Sequence, residues 1–141
     1  VYERESVDIV QATEASLRET LFSASPTAFA HLAVHEDSTG SVVAGMAVWY
    51  LSFSTWTGRN GIYLEDLFVR ETFRGHGYGK ALLAKLAQMC VARGYPRFEW
   101  SVLNWNEPSI RFYQARGAVA ADDWTRYRLE GAPMRALAES V

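Results

Sequence analysis

The segment ETFRGHGYGKALL, residues 71–83, places glycines at 75, 77 and 79 directly ahead of an amphipathic run. Ordered glycine costs backbone entropy, so three at alternate positions imply a main chain that must approach something closely. A strand, a glycine-rich turn and a helix are the general arrangement for holding an anion, because free N–H groups and the positive end of the helix dipole converge there. Two nucleotide fingerprints fail at specific residues. The P-loop pattern needs Ser or Thr after Gly79-Lys80 and finds Ala81, and its first glycine falls on Arg74. The dinucleotide pattern needs a third glycine where Lys80 stands. What remains is R-x-x-G-x-G, formed by Arg74, Gly77 and Gly79, open to two readings: an ordinary tight turn, or an anion cradle.

Around this segment the periodicities alternate. Residues 12–22 read as a helix capped by Thr13, with Leu17, Leu21 and Phe22 on one face. Strands are expected at 28–36, 41–56 and 62–70, the last two antiparallel and joined through a hairpin-type turn at TGRNG. A helix over 80–94 follows from Leu82, Leu83, Leu86 and Cys90 at helical spacing and from Gly94 as its cap. Further on, the expectation is a strand at 96–103, a short helix at 106–117 with Pro108 in its first turn, a last strand at 124–131 and a weak helical tail. This order predicts a single α/β domain over 1–141 built on a mixed sheet.

Composition narrows the function classes. With 141 residues and 49% hydrophobic side chains the chain has enough apolar material for a core. A net charge of −2 argues against a nucleic-acid binder, which carries a strongly basic face. The single cysteine, Cys90, excludes an intramolecular disulfide and a cysteine-cluster metal site, and a cytoplasmic location is expected. No apolar run approaches the ~20 residues of a membrane helix. His31 and His35 lack the partner spacing of a metal site, and Cys90 reads as a small core residue.

RGHGYGKALL, preceded by YLEDLFV and followed by EWSVLNWNEPSIRFYQARGA, resembles the GNAT superfamily of acetyl-CoA-dependent N-acetyltransferases. Within it the likeness is to the spermidine/spermine (diamine) and thialysine N-acetyltransferase group, and it is strongest from Ile62 to Gly117. The resemblance implies a mostly antiparallel central sheet flanked by helices. It also places the family's first strand and most of its first helix before Val1, so these are expected to be missing from this chain though present in the native gene product. It further implies acetyl-CoA as cosubstrate, no metal, a small-molecule amine as acceptor, no nucleic acid or membrane partner, and a homodimer.

Residue by residue, the resemblance puts the CoA pyrophosphate on the backbone N–H groups of Arg74, Gly75, His76, Gly77, Tyr78, Gly79 and Lys80. Main-chain groups of Leu67 and Val69 would run beside the pantetheine, with an N–H near Phe68 facing the thioester oxygen. Asn106, Ser109 and Tyr113 would complete the cofactor contacts, although Asn106 is equally well placed as a helix N-cap. Acetylating an amine requires removal of an ammonium proton, stabilisation of an oxyanion and protonation of the departing thiolate. Glu65 is the candidate base and Tyr113 the candidate acid, against the simpler readings of a solvated strand carboxylate and a core aromatic. Asp66 is expected on the opposite face from Glu65 unless a bulge intervenes.

For a cationic acceptor, Glu3, Glu65, Asp66, Glu99, Trp100 and Trp56 are the candidate contacts, with Asp122, Asp123 and Trp124 weaker ones. The polyamine enzymes carry Asp-Pro before the tryptophan that matches Trp56, whereas this chain has Ser54 and Thr55. An amino-acid-like amine is therefore as open as a polyamine. Two other activities stay open at this point: acetylation of peptide or protein amines, and non-catalytic acyl-CoA binding.

Overall fold

A computed structural model of the chain describes residues 10–140. It divides into two compact units, Val1–Ser101 and Val102–Val141.

Among the described residues, the first unit is a four-stranded sheet whose strands lie side by side in chain order. Helix α1, Glu14–Phe22, precedes it, and here Thr13 and Ser16 exchange side-chain and main-chain hydrogen bonds in a capping box. Its apolar residues form no core: Leu17 and Phe22 are exposed. Strands β1 (Phe29–Asp37), β2 (Gly40–Ser54) and β3 (Arg59–Val69) form an antiparallel meander. A single 3-10 turn, Glu71–Phe73, and helix α2, Tyr78–Arg93, cross over to β4, Phe98–Trp100, which pairs parallel to β3. Antiparallel strands accept tight turns, whereas the parallel pair needs the helical crossover.

The core lies between α2 and one sheet face. Leu82, Leu83, Leu86 and Cys90 recur on one side of α2 and are buried. Ala47, Trp49, Ile62 and Leu64 are buried opposite them, with Ile62 and Leu86 fully enclosed. The Cys90 thiol points at the Arg97 carbonyl and burial pushes its pKa up, as suits a packing residue rather than a nucleophile.

Two boundaries differ from expectation. The hairpin turn comes earlier than TGRNG: β2 stops at Ser54, the Gly58 N–H bonds the Ser54 carbonyl at 2.8 Å, and β3 already begins at Arg59. The left-handed residue that closes this turn is Gly58, not Gly61. Strand β4 is three residues long rather than eight, because its ladder with β3 stops at Leu64, immediately before an irregularity in β3.

In the second unit, α3 spans Glu107–Gln114 with Asn106 as N-cap and Pro108 in its first turn. Helix α4, Gly131–Ala138, is the expected helical tail. The strand expected at 124–131 is absent: among the described residues this stretch joins no ladder, and Trp124 and Tyr127 are 79% and 92% exposed. A strand pattern supplies a face, but the edge it must pair with is non-local and the pattern does not specify it.

Candidate active site

The irregularity in β3 is a β-bulge at Glu65. Val48 pairs with Asp66 and Trp49 with Leu64, so Glu65 is the extra residue with no partner on β2. Leu64 shares the core face with Trp49, and Leu67 shares it with Ala47. Two residues between them instead of one put Glu65 and Asp66 together on the opposite face, both exposed. This corrects the expectation for a regular strand. Glu99, paired with Tyr63, lies on the same face. There the Tyr63 ring packs against Tyr50 at 5.1 Å, and its hydroxyl lies 2.6 Å from Ser101 Oγ. The face opposite α2 therefore carries three carboxylates from two neighbouring strands.

The remaining acceptor candidates are not gathered there. Trp100 pairs with Leu64 and so belongs to the helix-covered face, packed edge-on against Phe98 at 5.0 Å. Trp56 sits in the β2–β3 turn, 86% exposed. Glu3 lies outside the described residues. Near that turn a shallow cavity of about 100 Å³ is lined by Ser52, Ser54, Arg59, Asn60, Arg97 and Glu99, and Ser54 Oγ is buried without a hydrogen-bond partner. An unpaired buried hydroxyl is unfavourable unless something else satisfies it. Asp122 and Asp123 lie in the second unit and are exposed.

Past the bulge, among the described residues, no strand pairs with β3 on its β4 side. Pairing with β4 covers only Ile62, Tyr63 and Leu64, while pairing with β2 runs on to Val69. The Arg70 N–H bonds the Ala44 carbonyl at 2.8 Å, and this fixes the phase of the ladder. Met46 and Phe68 form a hydrogen-bonded pair, so the Phe68 main chain turns inward to β2, whereas that of Leu67 and Val69 turns outward. The Val69 carbonyl accepts from Arg74 Nε at 3.1 Å, which ties the loop to the strand end through the Arg74 side chain.

The glycines in the following loop divide their work. Gly75 and Gly77 have φ of 80° and 86°, and a Cβ at either would meet nothing within 4 Å, so conformation and not crowding requires glycine. Gly77 is the N-cap of α2, while Gly79 already lies inside the helix. The first intrahelical bond runs from the Ala81 N–H to the Gly77 carbonyl, leaving those of Tyr78, Gly79 and Lys80 without an intrahelical acceptor. His76 is exposed and its ring turns back on the Arg74 carbonyl at 2.9 Å, so only its N–H is offered to the loop. An anion is the natural ligand of such a turn.

In the second unit, Asn106 Oδ1 accepts from the Ser109 N–H at 3.3 Å, a helix cap as the sequence allowed. Tyr113 follows one helical turn later, half-buried, its ring 5.5 Å from Phe112. Burial raises the Tyr113 pKa, so the phenol holds its proton at neutral pH and can donate it. Among the described residues, no group of three or more His, Cys, Asp or Glu is placed to hold a metal. No helix among them is long and apolar enough to cross a membrane.

A strand edge running into an N–H-lined turn and a helix can seat an extended anionic ligand, and comparison with known proteins supplies the family. The model of the Acetyltransferase (GNAT) family matches residues 2–118. Thialysine N-epsilon-acetyltransferase of Sus scrofa is 38% identical, covering 97% of this chain and 84% of that protein. L-ornithine N5-acetyltransferase of Arabidopsis thaliana is also 38% identical, over 68% of this chain and 42% of that protein. A Vibrio cholerae integron cassette protein of solved structure superposes with a TM-score of 0.76 at 29% identity, covering 92% of this chain and 80% of that one. The chain belongs to the GNAT family, and its activity is that of an N-acetyltransferase.

Proposed function

We propose that this N-acetyltransferase uses acetyl-CoA and moves the acetyl group directly, in a ternary complex, to the primary amine of a small cationic acceptor: a polyamine, thialysine or a lysine-like amino acid. The observation that carries the reading is the outward main chain of Leu67 and Val69 on a strand edge that leads into the N–H groups of residues 75–80, that of Arg74 being taken by the Glu71 carbonyl at 3.2 Å. A pantetheine arm is rich in amides and pairs with a strand edge as another strand would. The helix N-terminus beyond it suits the pyrophosphate. An outward amide from this edge would stabilise the tetrahedral oxyanion.

Glu65, at the bulge, is the proposed base, acting through a water, and Tyr113 the proposed acid for the thiolate. Asn106 and Ser109 are assigned to the pantetheine. Asp66 and Glu99 beside Glu65 give the acceptor face negative charge, which favours an approaching ammonium. Arg59 and Arg97 line the neighbouring cavity together with Glu99. Both signs of charge there suit a zwitterionic amino-acid head better than a second ammonium, in keeping with Ser54 where the polyamine enzymes carry Asp. The protein is proposed to work as a single catalytic domain, in the cytoplasm and as a homodimer.

The test is acetyl-CoA turnover with thialysine, lysine, ornithine, spermidine and a peptide. Turnover of the free amino acids above spermidine is expected, and turnover of the peptide alone would overturn the acceptor class. Tyr113→Phe is expected to lower kcat by about 10²-fold or more while coenzyme A binding stays unchanged. Equal loss of both would make Tyr113 structural.

A further inference from the structure

The glycine loop is held by a histidine on a different strand. Tyr78, the first residue of α2, places its hydroxyl 2.6 Å from Nδ1 of His35 on β1. Phe73, which ends the 3-10 turn at the other side of the loop, packs its ring 5.1 Å from the same imidazole. The Phe73 and Tyr78 rings meet edge to face at 6.1 Å. The two ends of the segment Arg74–Gly77 are thus closed on one side chain.

That side chain is itself oriented. His35 lies on the face of β1 that meets α2, in the same alternation as His31 and Ala33. Its Nε2 lies 3.6 Å from Asp37 Oδ2, so the carboxylate favours the proton on Nε2 and leaves Nδ1 to accept from Tyr78. Asp37 is fixed in the β1–β2 turn, where its Oδ1 accepts from the Thr39 N–H at 2.7 Å and from the Thr39 hydroxyl at 2.5 Å. These two bonds are the main reason its carboxyl sits below the usual range, with a smaller contribution from His35.

We infer that His35, oriented by Asp37, is a positioning residue for the phosphate-binding loop, setting the direction of its N–H groups through the Tyr78 hydroxyl. The inference rests on the reading of this loop as the coenzyme A site. Its physical basis is preorganisation. Gly75 and Gly77 supply a conformation open to few other residues, but glycine also gives the unliganded loop the most freedom to lose on binding. Fixing both ends of the loop before the ligand arrives lowers that cost. His35 touches no reacting atom, so its effect is expected in donor affinity and not in acceptor affinity.

The experiment is a double-mutant cycle of His35→Ala and Tyr78→Phe, read as coenzyme A Kd by calorimetry, as the separate KM values for acetyl-CoA and for the acceptor, and as Tm. Each single variant is expected to weaken coenzyme A binding several-fold, on the order of the loss of one hydrogen bond, with acceptor KM unchanged. The double variant should be no weaker than the worse single one, because both changes break one connection. His35→Asn, which keeps an acceptor near the Nδ1 position, should recover part of the loss. Tyr78→Phe keeps the ring packing and reads the connection even if His35→Ala does not fold. Undiminished coenzyme A binding in Tyr78→Phe, or fully additive losses, would overturn the inference alone. Failure of the wild-type chain to bind coenzyme A would overturn the cofactor reading and this inference with it.

Discussion

Strand β3 is two strands in one. From Arg59 to Leu64 its inner residues are buried and it reaches a neighbour on each side, β2 throughout and β4 from Ile62. From Asp66 to Val69 it keeps β2 and loses β4, and its side chains are half-buried or exposed. Glu65 divides the halves. The first half is held by packing on both sides, and in the second the main chain of Leu67 and Val69 turns outward. A bulge is the means of changing from one regime to the other, because one extra residue reverses the facing of everything beyond it.

The sharpest way to break this comparison is to change the dividing residue and one residue on its packed side. Glu65→Gln is expected to lower kcat/KM by 10²- to 10⁴-fold, the range of a general base, while leaving Tm within a degree or two. Loss of folding without a specific loss of rate would make Glu65 an element of the bulge only. Ile62→Ala, two pleats earlier and fully buried, should do the reverse, costing about 2–5 kcal/mol in denaturant unfolding. The folded fraction should retain its KM values. In the loop beyond the strand, Gly77→Ala forces a side chain onto a φ of 86°, with an expected cost of about 1–2 kcal/mol, and it should raise the acetyl-CoA KM more than the acceptor KM.

The smallest expected effect tests the packed side alone. His31 Nδ1 accepts from Trp49 Nε1 at 3.0 Å, and burial, followed by Lys85 and Arg93, holds its pKa below 6.5. The folded state therefore binds fewer protons than the unfolded chain once the pH drops below that value. Stability should be level from pH 8 to 7 and decline from about 6.5 downward. His31→Gln should flatten the decline, and an unchanged slope in that variant would remove His31 from the explanation.

Much of this was legible in advance. The Leu82, Leu83, Leu86 and Cys90 spacing specified α2 and its buried face, Gly94 closed it, and Asn106 with Pro108 opened α3. These are local signals, carried by side chains within one or two turns of each other. The likeness to the GNAT family, read from RGHGYGKALL and WNEPSIRFY, agrees with the family model that matches residues 2–118. What escaped was non-local. The strand expected at 124–131 has the right residue types but no edge to join among the described residues. Trp100 and Glu99, adjacent in sequence, fall on opposite faces of β4. No periodicity announces that His35 and Tyr78, 43 positions apart, share a hydrogen bond.

The sequence by itself therefore determined the helices, the family and the glycine turn ahead of α2, since each depends on neighbours a few residues away. Tertiary structure alone decided the register of β3 against β2. That register sets Glu65 beside Asp66 on one face, turns Leu67 and Val69 outward and ends β4 at Trp100. The reason is that side-chain facing in a strand has period two, so a single unpaired residue, fixed only by the partner strand, reverses the assignment of all that follow.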